Sequence, residues 1–241
     1  MDTIKIDSGK TLMIAHRGVS GIECENTNPA FVAAGNRSYF GVETDVHVTA
    51  DGVFAIFHDD NTKRLAGVDM VIEESNYSDL KKLRLNSGKT DPAIVRSDYC
   101  IPQLAEYISI CKYYDKVAVL ELKNRMKKEE VGAILDVIAA QEYLDKTIII
   151  SFSFDNLVDV RAYKPEQTVQ FLISSIDDAL IAKLVEYKMD LDIQYRALTA
   201  EWVEKLHANG IKVNCWTVDD PEDGKRMVEY GVDYITSNIL E

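Results

Sequence analysis

Short apolar, β-branched segments alternate with segments of helical periodicity along almost the whole chain. Apolar runs of this length, bounded by polar or glycine-containing stretches, are typical of buried β-strands. The predicted strands are residues 11–16, 41–46, 116–122, 146–152, 168–173, 189–194, 211–218 and 232–237. The predicted helices are residues 28–38, 102–114, 128–142, 155–163, 177–188, 199–208 and 221–230.

This regular alternation predicts a parallel sheet with right-handed crossover helices. Eight strand–helix units close a (β/α)8 barrel, and the chain length of 241 residues is near the roughly 250 residues typical of that fold. A doubly wound open sheet is the alternative, but no glycine-rich phosphate loop follows the first strand. We therefore predict an α/β protein with a TIM barrel as a single domain over residues 1–241.

One stretch after the second predicted strand departs from the alternation. Asp51-Gly52 has the sequence of a two-residue type I′ turn, which joins antiparallel strands. The register of such a turn places His58 opposite Asp45, within the short distance typical of paired residues. We therefore predict that residues from about 47 to 100 form a small inserted subdomain rather than a ninth barrel strand.

The charge and composition limit the possible partners. A formal net charge of −13 disfavours nucleic acid and anionic membranes as partners. It also repels anionic substrates, so a phosphate site needs local positive charge. No apolar run approaches the ~20 residues of a membrane helix, and the first residues lack the pattern of a signal peptide. Four scattered cysteines without a Cys-x-x-Cys pair indicate reduced thiols, so we expect a cytoplasmic protein.

Acidic residues lie where predicted barrel strands end, which is where TIM barrels place their functional groups. Glu43 and Asp45 are two residues apart on one strand, so both side chains leave the same face. Glu121 ends the neighbouring barrel strand at the same height. Three unpaired carboxylates raise one another's pKa, and a hard divalent cation removes that conflict. Oxygen ligands predict Mg²⁺ or Ca²⁺; salt bridges to nearby basic side chains are the alternative.

Two of the four histidines flank this predicted metal site from separate elements. His16 ends the first strand, and His58 lies on the returning arm of the hairpin. Two imidazoles on opposite sides of a scissile bond can act as general base and general acid. His47 shares the face of the strand carboxylates, but a surface position on the hairpin is favoured over a role in catalysis. His207, late in a helix, is predicted to be at the surface.

Basic residues next to the same strand ends supply the positive charge that a phosphate needs. Arg17 follows His16, and Lys123 lies one strand step beyond Glu121 on the same face. The planar guanidinium group matches the spacing of phosphate oxygens. The pattern therefore predicts a site for an anionic phosphate ester beside the cation.

Four segments form a joint pattern: HRGVSGIECENTNPAF, GVETDVHVTADGVFAIFHD, ELK and WTVDDPEDGKRMVEYGVDYITS. Together they closely resemble the glycerophosphodiester phosphodiesterases, over nearly the whole chain from about Leu12 to Ser237. The combination is specific, whereas the HRG or HD motif alone is a weak signal. The resemblance implies a distorted barrel of the phosphoinositide-specific phospholipase C type with a small inserted subdomain.

The resemblance also implies a role for each matching position. These are the acid–base pair His16 and His58, the metal ligands Glu43, Asp45 and Glu121, the phosphate-binding Arg17 and Lys123, the supporting Glu25, and Trp216 against the glycerol or alcohol group. By itself, Trp216 is equally consistent with the barrel core. One divalent cation, Mg²⁺ or Ca²⁺, is the implied cofactor.

The implied reaction is hydrolysis of a glycerophosphodiester to glycerol 3-phosphate and an alcohol, with water or the glycerol 2-hydroxyl as nucleophile. The alternatives are cleavage of a lysophospholipid at the same site and a catalytically silent barrel that binds phosphodiesters. The sequence departs from the family pattern at Cys24, where the family has proline, at Asn28-Pro29, and in the ending ITSNILE, which lacks the usual aspartate–proline pair. None of these departures removes a predicted catalytic group.

Overall fold

The structure, a computed structural model, describes residues 2–86 and 96–241. Residues 87–95 of the predicted insertion therefore lie outside the described residues. The strands are β1 (Leu12–Ala15), β2 (Gly41–Val48), β3 (Phe54–Ile56), β4 (Val117–Leu122), β5 (Thr147–Ser151), β6 (Val169–Ile173), β7 (Asp190–Gln194), β8 (Val213–Trp216) and β9 (Tyr234–Ser237). The α-helices are α1 (Asn28–Gly35), α2 (Lys63–Ala66), α3 (Tyr77–Leu80), α4 (Leu104–Tyr113), α5 (Lys128–Ala140), α6 (Phe154–Tyr163), α7 (Asp178–Tyr187), α8 (Ala200–Ala208) and α9 (Pro221–Tyr230).

Eight parallel strands close into a barrel. The order is β1-β9-β8-β7-β6-β5-β4-β2, and β2 pairs with β1 to complete the circle. Strand β3 pairs only with β2 in this sheet, in the antiparallel sense, and lies outside the barrel. The predicted (β/α)8 barrel is therefore confirmed, as is the prediction that the segment after the hairpin turn is not a ninth barrel strand.

Side chains alternate between the barrel interior and the surrounding helices, as the period of two along a strand requires. The outward positions of the strands form one large core with the helices. The inward apolar positions form a second cluster, Ile14, Val119, Ile148, Ile150, Leu172 and Tyr234. This packed interior fixes the strand register, and the register sets where the polar residues at the strand ends meet.

The segment between β2 and α4 has a small apolar core of its own. Phe57, Ile72, Tyr77, Leu80 and Tyr99 are among the residues buried in it. Cys24, from the loop after β1, packs into the same core. This shared core holds the inserted segment against the rim of the barrel, next to the loop that follows His16.

The hairpin between β2 and β3 has a different register from the predicted one. Val48 pairs with Phe54, so Phe57 rather than His58 lies opposite Asp45, and the Phe57 N–H donates to the Asp45 carbonyl at 3.1 Å. The predicted pairing of His58 with Asp45 is therefore wrong by one residue.

The cause is a three-residue loop in place of a two-residue turn. The Thr49 N–H donates to the Val53 carbonyl at 2.9 Å, and the Thr49 hydroxyl accepts from the Val53 N–H at 2.9 Å. Gly52 takes a φ of 77°, the left-handed conformation that this kind of loop needs at its last position. The extra residue shifts every pair in the hairpin by one.

None of the helices in the described parts of the chain is both long and apolar enough to cross a membrane.

Candidate active site

Three carboxylates meet at the C-terminal end of the barrel. Glu43 and Asp45 leave β2 on its inner face, and Glu121 leaves β4, where it is the direct partner of Asp45 in the parallel ladder. One oxygen from each lies within 4.8 Å of the others. Their exposed fractions are only 3%, 1% and 7%. The strand register therefore brings together the three residues that the sequence predicted as metal ligands.

Burial makes it costly for all three carboxylates to be ionised together. Burial and the charge of Asp45 raise the pKa of Glu43 well above its usual value, and the same two causes raise the pKa of Glu121 to about 8. Burial also opposes ionisation of Asp45, but Arg17 and Lys123 outweigh it and lower its pKa. One carboxylate thus stays charged, and the other two can ionise fully only beside an added positive charge.

The donor atoms fit a divalent cation. Oδ1 of Asp45 is buried and makes no hydrogen bond within residues 2–86 and 96–241, while Oδ2 accepts from the Asn26 amide at 2.8 Å. Oε2 of Glu43 accepts from the Arg17 N–H at 2.8 Å. Each carboxylate is thereby oriented through one oxygen. An all-oxygen set of this kind suits Mg²⁺ or Ca²⁺.

Salt bridges, the alternative interpretation of these acids, are also present in part. Nζ of Lys123 lies 2.9 Å from Oε1 of Glu121 and 3.5 Å from Oδ1 of Asp45. Nε of Arg17 also lies 3.7 Å from Oδ2 of Asp45, while Glu43 has no lysine or arginine ion-pair partner in the described structure. Lys123 and Arg17 therefore reduce the excess negative charge of the three carboxylates but do not balance it.

His16 is fixed by Asn238, which is 222 positions away in sequence but adjacent in space. Nδ1 of His16 lies 2.8 Å from Oδ1 of Asn238, and the Asn238 amide nitrogen donates to Asp219 at 2.6 Å. Because an amide oxygen only accepts, Nδ1 carries the hydrogen and Nε2 keeps its lone pair. Nε2 faces Oε2 of Glu43 at 3.9 Å. Burial and the charge of Arg17 lower the pKa of His16 to about 4, so the ring is neutral.

His58 follows β3 and has a carboxylate partner instead of an amide. Its Nδ1 lies 2.8 Å from Oδ1 of Asp59. Burial lowers the pKa of His58, and the charge of Asp45 opposes that effect. Arg64 from α2 donates two hydrogen bonds to Asp59, from Nε to Oδ2 at 2.7 Å and from Nη2 to Oδ1 at 3.0 Å. The inserted segment therefore supplies both His58 and the residues that orient it.

Arg17 and Glu25 belong to the same network of hydrogen bonds as Arg64. Nη1 of Arg17 donates to Oε1 of Glu25 at 2.8 Å, and Arg64 donates to both oxygens of Glu25 at 2.9 and 2.7 Å. Burial opposes ionisation of Glu25, but the two arginines lower its pKa to about 2. Both oxygens of Glu25 thus accept hydrogen bonds from arginines, and Glu25 lies outside the group of three carboxylates.

A cleft with a cavity volume of about 100 Å³ opens beside these groups. Its polar walls include His16, Arg17, Glu43, His58 and Glu121. Its other wall includes Trp216, whose ring also packs on the apolar cluster of the barrel interior. Phe152 stacks edge-on against Trp216 at 5.6 Å between ring centres. Trp216 therefore belongs to the packing of the barrel interior and also lines the cleft; its contact with the glycerol or alcohol group stays a prediction.

The other two histidines lie elsewhere. His47 is completely buried, with Nδ1 2.9 Å from Oε1 of Glu73, so its predicted surface position is wrong; the inserted segment covers it. His207 is exposed on α8 and pairs with Asp233 at 2.8 Å, as predicted.

Comparison with known proteins identifies the family to which the chain belongs. Residues 16–240 match the sequence model of the Glycerophosphoryl diester phosphodiesterase family. The chain belongs to this family.

Relatives cover nearly the full length of this phosphodiesterase. The glycerophosphodiester phosphodiesterase of Caldanaerobacter subterraneus subsp. tengcongensis is 30% identical over 235 residues, which are 95% of this chain and 94% of the relative. That of Bacillus subtilis is 25% identical over 245 residues, 95% of this chain and 84% of the relative. A solved Oleispira antarctica phosphodiesterase in complex with the product sn-glycerol-3-phosphate has a TM-score of 0.88 at 29% identity, and covers 98% of this chain and 96% of its own. The predicted enzyme class is confirmed.

Sequence reasoning missed the residues that orient the predicted catalytic groups of this phosphodiesterase. Asn26 and Asp59 lie inside the quoted motifs, next to Glu25 and His58, so the motifs themselves could have indicated them. Arg64 and Asn238 have no comparable local signal. Asn238 occupies the chain ending that departs from the family pattern, and its contact with His16 exists only because β1 and β9 are neighbours in the closed barrel.

Proposed function

We propose that this phosphodiesterase hydrolyses glycerophosphodiesters such as glycerophosphocholine and glycerophosphoethanolamine to glycerol 3-phosphate and an alcohol, with one bound Mg²⁺ or Ca²⁺. The observation that carries the proposal is the group of three buried carboxylates beside a cleft whose walls include two imidazoles and Arg17. The sn-glycerol-3-phosphate in the Oleispira antarctica relative supports the identity of the shared product.

The cation would be held by Glu43, Asp45 and Glu121, and when bound it supplies Lewis-acid activation of a phosphoryl oxygen. Arg17 presents a buried Nε without a hydrogen-bond partner in the described structure, and this N–H is available to a phosphate oxygen. Lys123 adds positive charge at the same place. These fixed charges favour the extra negative charge of the transition state over the ground state.

The two imidazoles are suited to different steps because their partners differ. Asn238 keeps the hydrogen on Nδ1 of His16, so Nε2 can accept a proton from the attacking hydroxyl of water or of glycerol C2. Asp59 carries negative charge and stabilises a protonated His58 ring. His58 is therefore assigned as the acid that protonates the leaving alkoxide, and His16 as the base.

Removal of divalent cations tests the proposal directly. We expect EDTA to abolish the release of glycerol 3-phosphate from glycerophosphocholine and glycerophosphoethanolamine, and added Mg²⁺ or Ca²⁺ to restore it. An enzyme-coupled assay for glycerol 3-phosphate is the measurement, with lysophosphatidylcholine as a parallel substrate. Full activity in EDTA would contradict the cation site, and a preference for lysophosphatidylcholine would contradict the water-soluble substrate class.

Substitution of Arg64 tests how the inserted segment contributes. In Arg64→Gln, Asp59 loses two charge-assisted hydrogen bonds, and His58 loses its fixed orientation. We expect kcat to fall about 10–100-fold, the same range as for removing a group that orients a metal ligand. Steady-state kinetics on glycerophosphocholine measure this effect. Arg84→Gln is the matched control, since Arg84 is exposed on the same segment and, among the described residues, bonds only backbone carbonyls; equal losses in both variants would contradict the assignment.

A further inference from the structure

The barrel interior is polar on one side, in addition to the carboxylate site. Gln170 on β6, Asp192 on β7, Asn214 on β8 and Thr236 on β9 all alternate with outward-facing core residues and are almost completely buried. The strands on the other side of the barrel fill the interior with isoleucine and valine. A polar group buried in an apolar interior is unfavourable unless it is hydrogen-bonded, so each of these four residues needs a partner.

Three of the four bond to one another, although Nε2 of Gln170 is left without a partner in the described structure. The Asn214 amide donates to Oε1 of Gln170 at 3.2 Å, and the Thr236 hydroxyl donates to Oδ1 of Asn214 at 3.1 Å. Asp192 does not join this chain of hydrogen bonds. It is 2% exposed, and its Oδ1 is buried without a partner in residues 2–86 and 96–241.

Asp192 lines the cleft of the candidate active site, as Thr236 also does. In the closed barrel, four strand steps separate β7 from β2 in either direction, so Asp192 lies diametrically opposite Glu43 and Asp45. Trp216, on the neighbouring strand β8, lines the same cleft, and its Nε1 is also buried without a partner in the described structure. An acceptor and a donor, both unpaired, thus face a substrate held at the carboxylate side.

We propose that Asp192 is a specificity residue whose carboxyl group hydrogen-bonds a hydroxyl of the glycerol moiety, with the indole N–H of Trp216 as a second donor to that moiety. The inference rests on the proposed function, because it assumes that the enzyme acts on a glycerophosphodiester. A hydroxyl group is both a donor and an acceptor, so it can satisfy the two unpaired groups together. A substrate without hydroxyls would leave both of them buried and unsatisfied.

The electrostatics of Asp192 are compatible with an anionic substrate. Burial and the charge of Glu121 raise the pKa of Asp192 well above its usual value, which disfavours a full negative charge opposite the phosphate. Asp192 is also outside the group of carboxylates whose oxygens lie close enough to hold one cation. Its position suits hydroxyl recognition rather than metal binding.

Kinetics of Asp192→Leu, with Asp192→Asn beside it, test the inference at saturating Mg²⁺ or Ca²⁺. On glycerophosphocholine, we expect kcat/KM of Asp192→Leu to fall about 10–100-fold, mainly through KM, because a site built for a hydroxyl loses one partner. On bis(p-nitrophenyl) phosphate, which has no hydroxyl, we expect a change of less than about twofold. Asp192→Asn keeps an acceptor and a donor and should lie between the wild type and Asp192→Leu. Asp115→Asn, an exposed change at the other end of the barrel, is the control.

Binding separates failure of this inference from failure of the proposed function. Calorimetry of the wild-type enzyme with sn-glycerol 3-phosphate and with inorganic phosphate should show tighter binding of the glycerol ester, and Asp192→Leu should lose that difference while it still binds phosphate. This readout holds even if glycerophosphocholine is not hydrolysed, which would overturn the proposed function alone. Equal losses on both substrates, or an unchanged preference for the glycerol ester in Asp192→Leu, would overturn the role of Asp192.

Discussion

Replacement of His58 by alanine is expected to lower kcat for glycerophosphocholine by about 10²–10⁴-fold, the usual contribution of general acid–base catalysis. The same range is expected for His16→Ala. Both rings line the cleft, and each has one nitrogen fixed by a partner, Asp59 or Asn238, at 2.8 Å. Loss of either ring therefore removes a positioned proton carrier. Steady-state release of glycerol 3-phosphate measures the effect.

The leaving group distinguishes the two histidines. A p-nitrophenolate group leaves without a proton, so a diester of glycerol 3-phosphate and p-nitrophenol should restore much of the activity of His58→Ala but little of the activity of His16→Ala. His207→Ala is the matched control, because His207 is exposed on α8 and distant in the fold from the cleft. Full activity of His58→Ala on glycerophosphocholine would show that the assignment is wrong, and the reverse pattern of rescue would exchange the two roles.

The predictable part of this site follows from strand geometry. Glu43 and Asp45 share a face because side chains alternate along a strand, and Glu121 joins them because neighbouring parallel strands end together. These rules need only the order of the strands, which the alternating pattern predicts. The position of His58 was predicted from a wrong hairpin register, yet the ring still lines the cleft, because it follows β3 into the loop above β2 and is held there by Asp59.

The unpredictable part depends on contacts that have no local signal. The hydroxyl of Thr49 stabilises a three-residue hairpin loop. The dipeptide Asp51-Gly52 does not indicate whether the loop has two residues or three. Arg64 reaches Glu25 across 39 positions of the chain, and Asn238 reaches His16 across 222. Both contacts arise from the packing of the insertion and the closure of the barrel. A single sequence contains the residues but not their proximity.

The overall charge and the local charge of this enzyme act in opposite directions. A net charge of −13 repels a phosphodiester at long range, whereas Arg17, Arg64 and Lys123 are concentrated at one rim of the barrel. Glu25 and Asp59 neutralise much of that positive charge through ion pairs. The cation held by the three carboxylates would thus contribute a large share of the attraction for substrate, so the carboxylates should matter for both binding and turnover.

Glu121→Gln is expected to remove the response of the enzyme to divalent cations without unfolding it. The pKa of Glu121 is raised to about 8, so at pH 7 without cation its carboxyl group is largely protonated, and glutamine is a close neutral replacement. We expect the melting temperature without cation to be almost unchanged. The variant should lose at least about 100-fold in activity, since even groups that only orient metal ligands contribute 10–100-fold.

The melting temperature, measured with and without Mg²⁺ or Ca²⁺, tests whether Glu121 is a cation ligand. A ligand present at 100 times its dissociation constant stabilises the native state by about 2.7 kcal/mol, so the wild-type enzyme should melt at a higher temperature when cation is added. Glu121→Gln should show little or no such increase at the same concentration, whereas Glu129→Gln, an exposed change on α5, should behave like the wild type. A normal cation-induced increase in Glu121→Gln would mean that Glu121 is not a ligand. A large drop in its melting temperature without cation would mean that Glu121 instead stabilises the fold through Lys123.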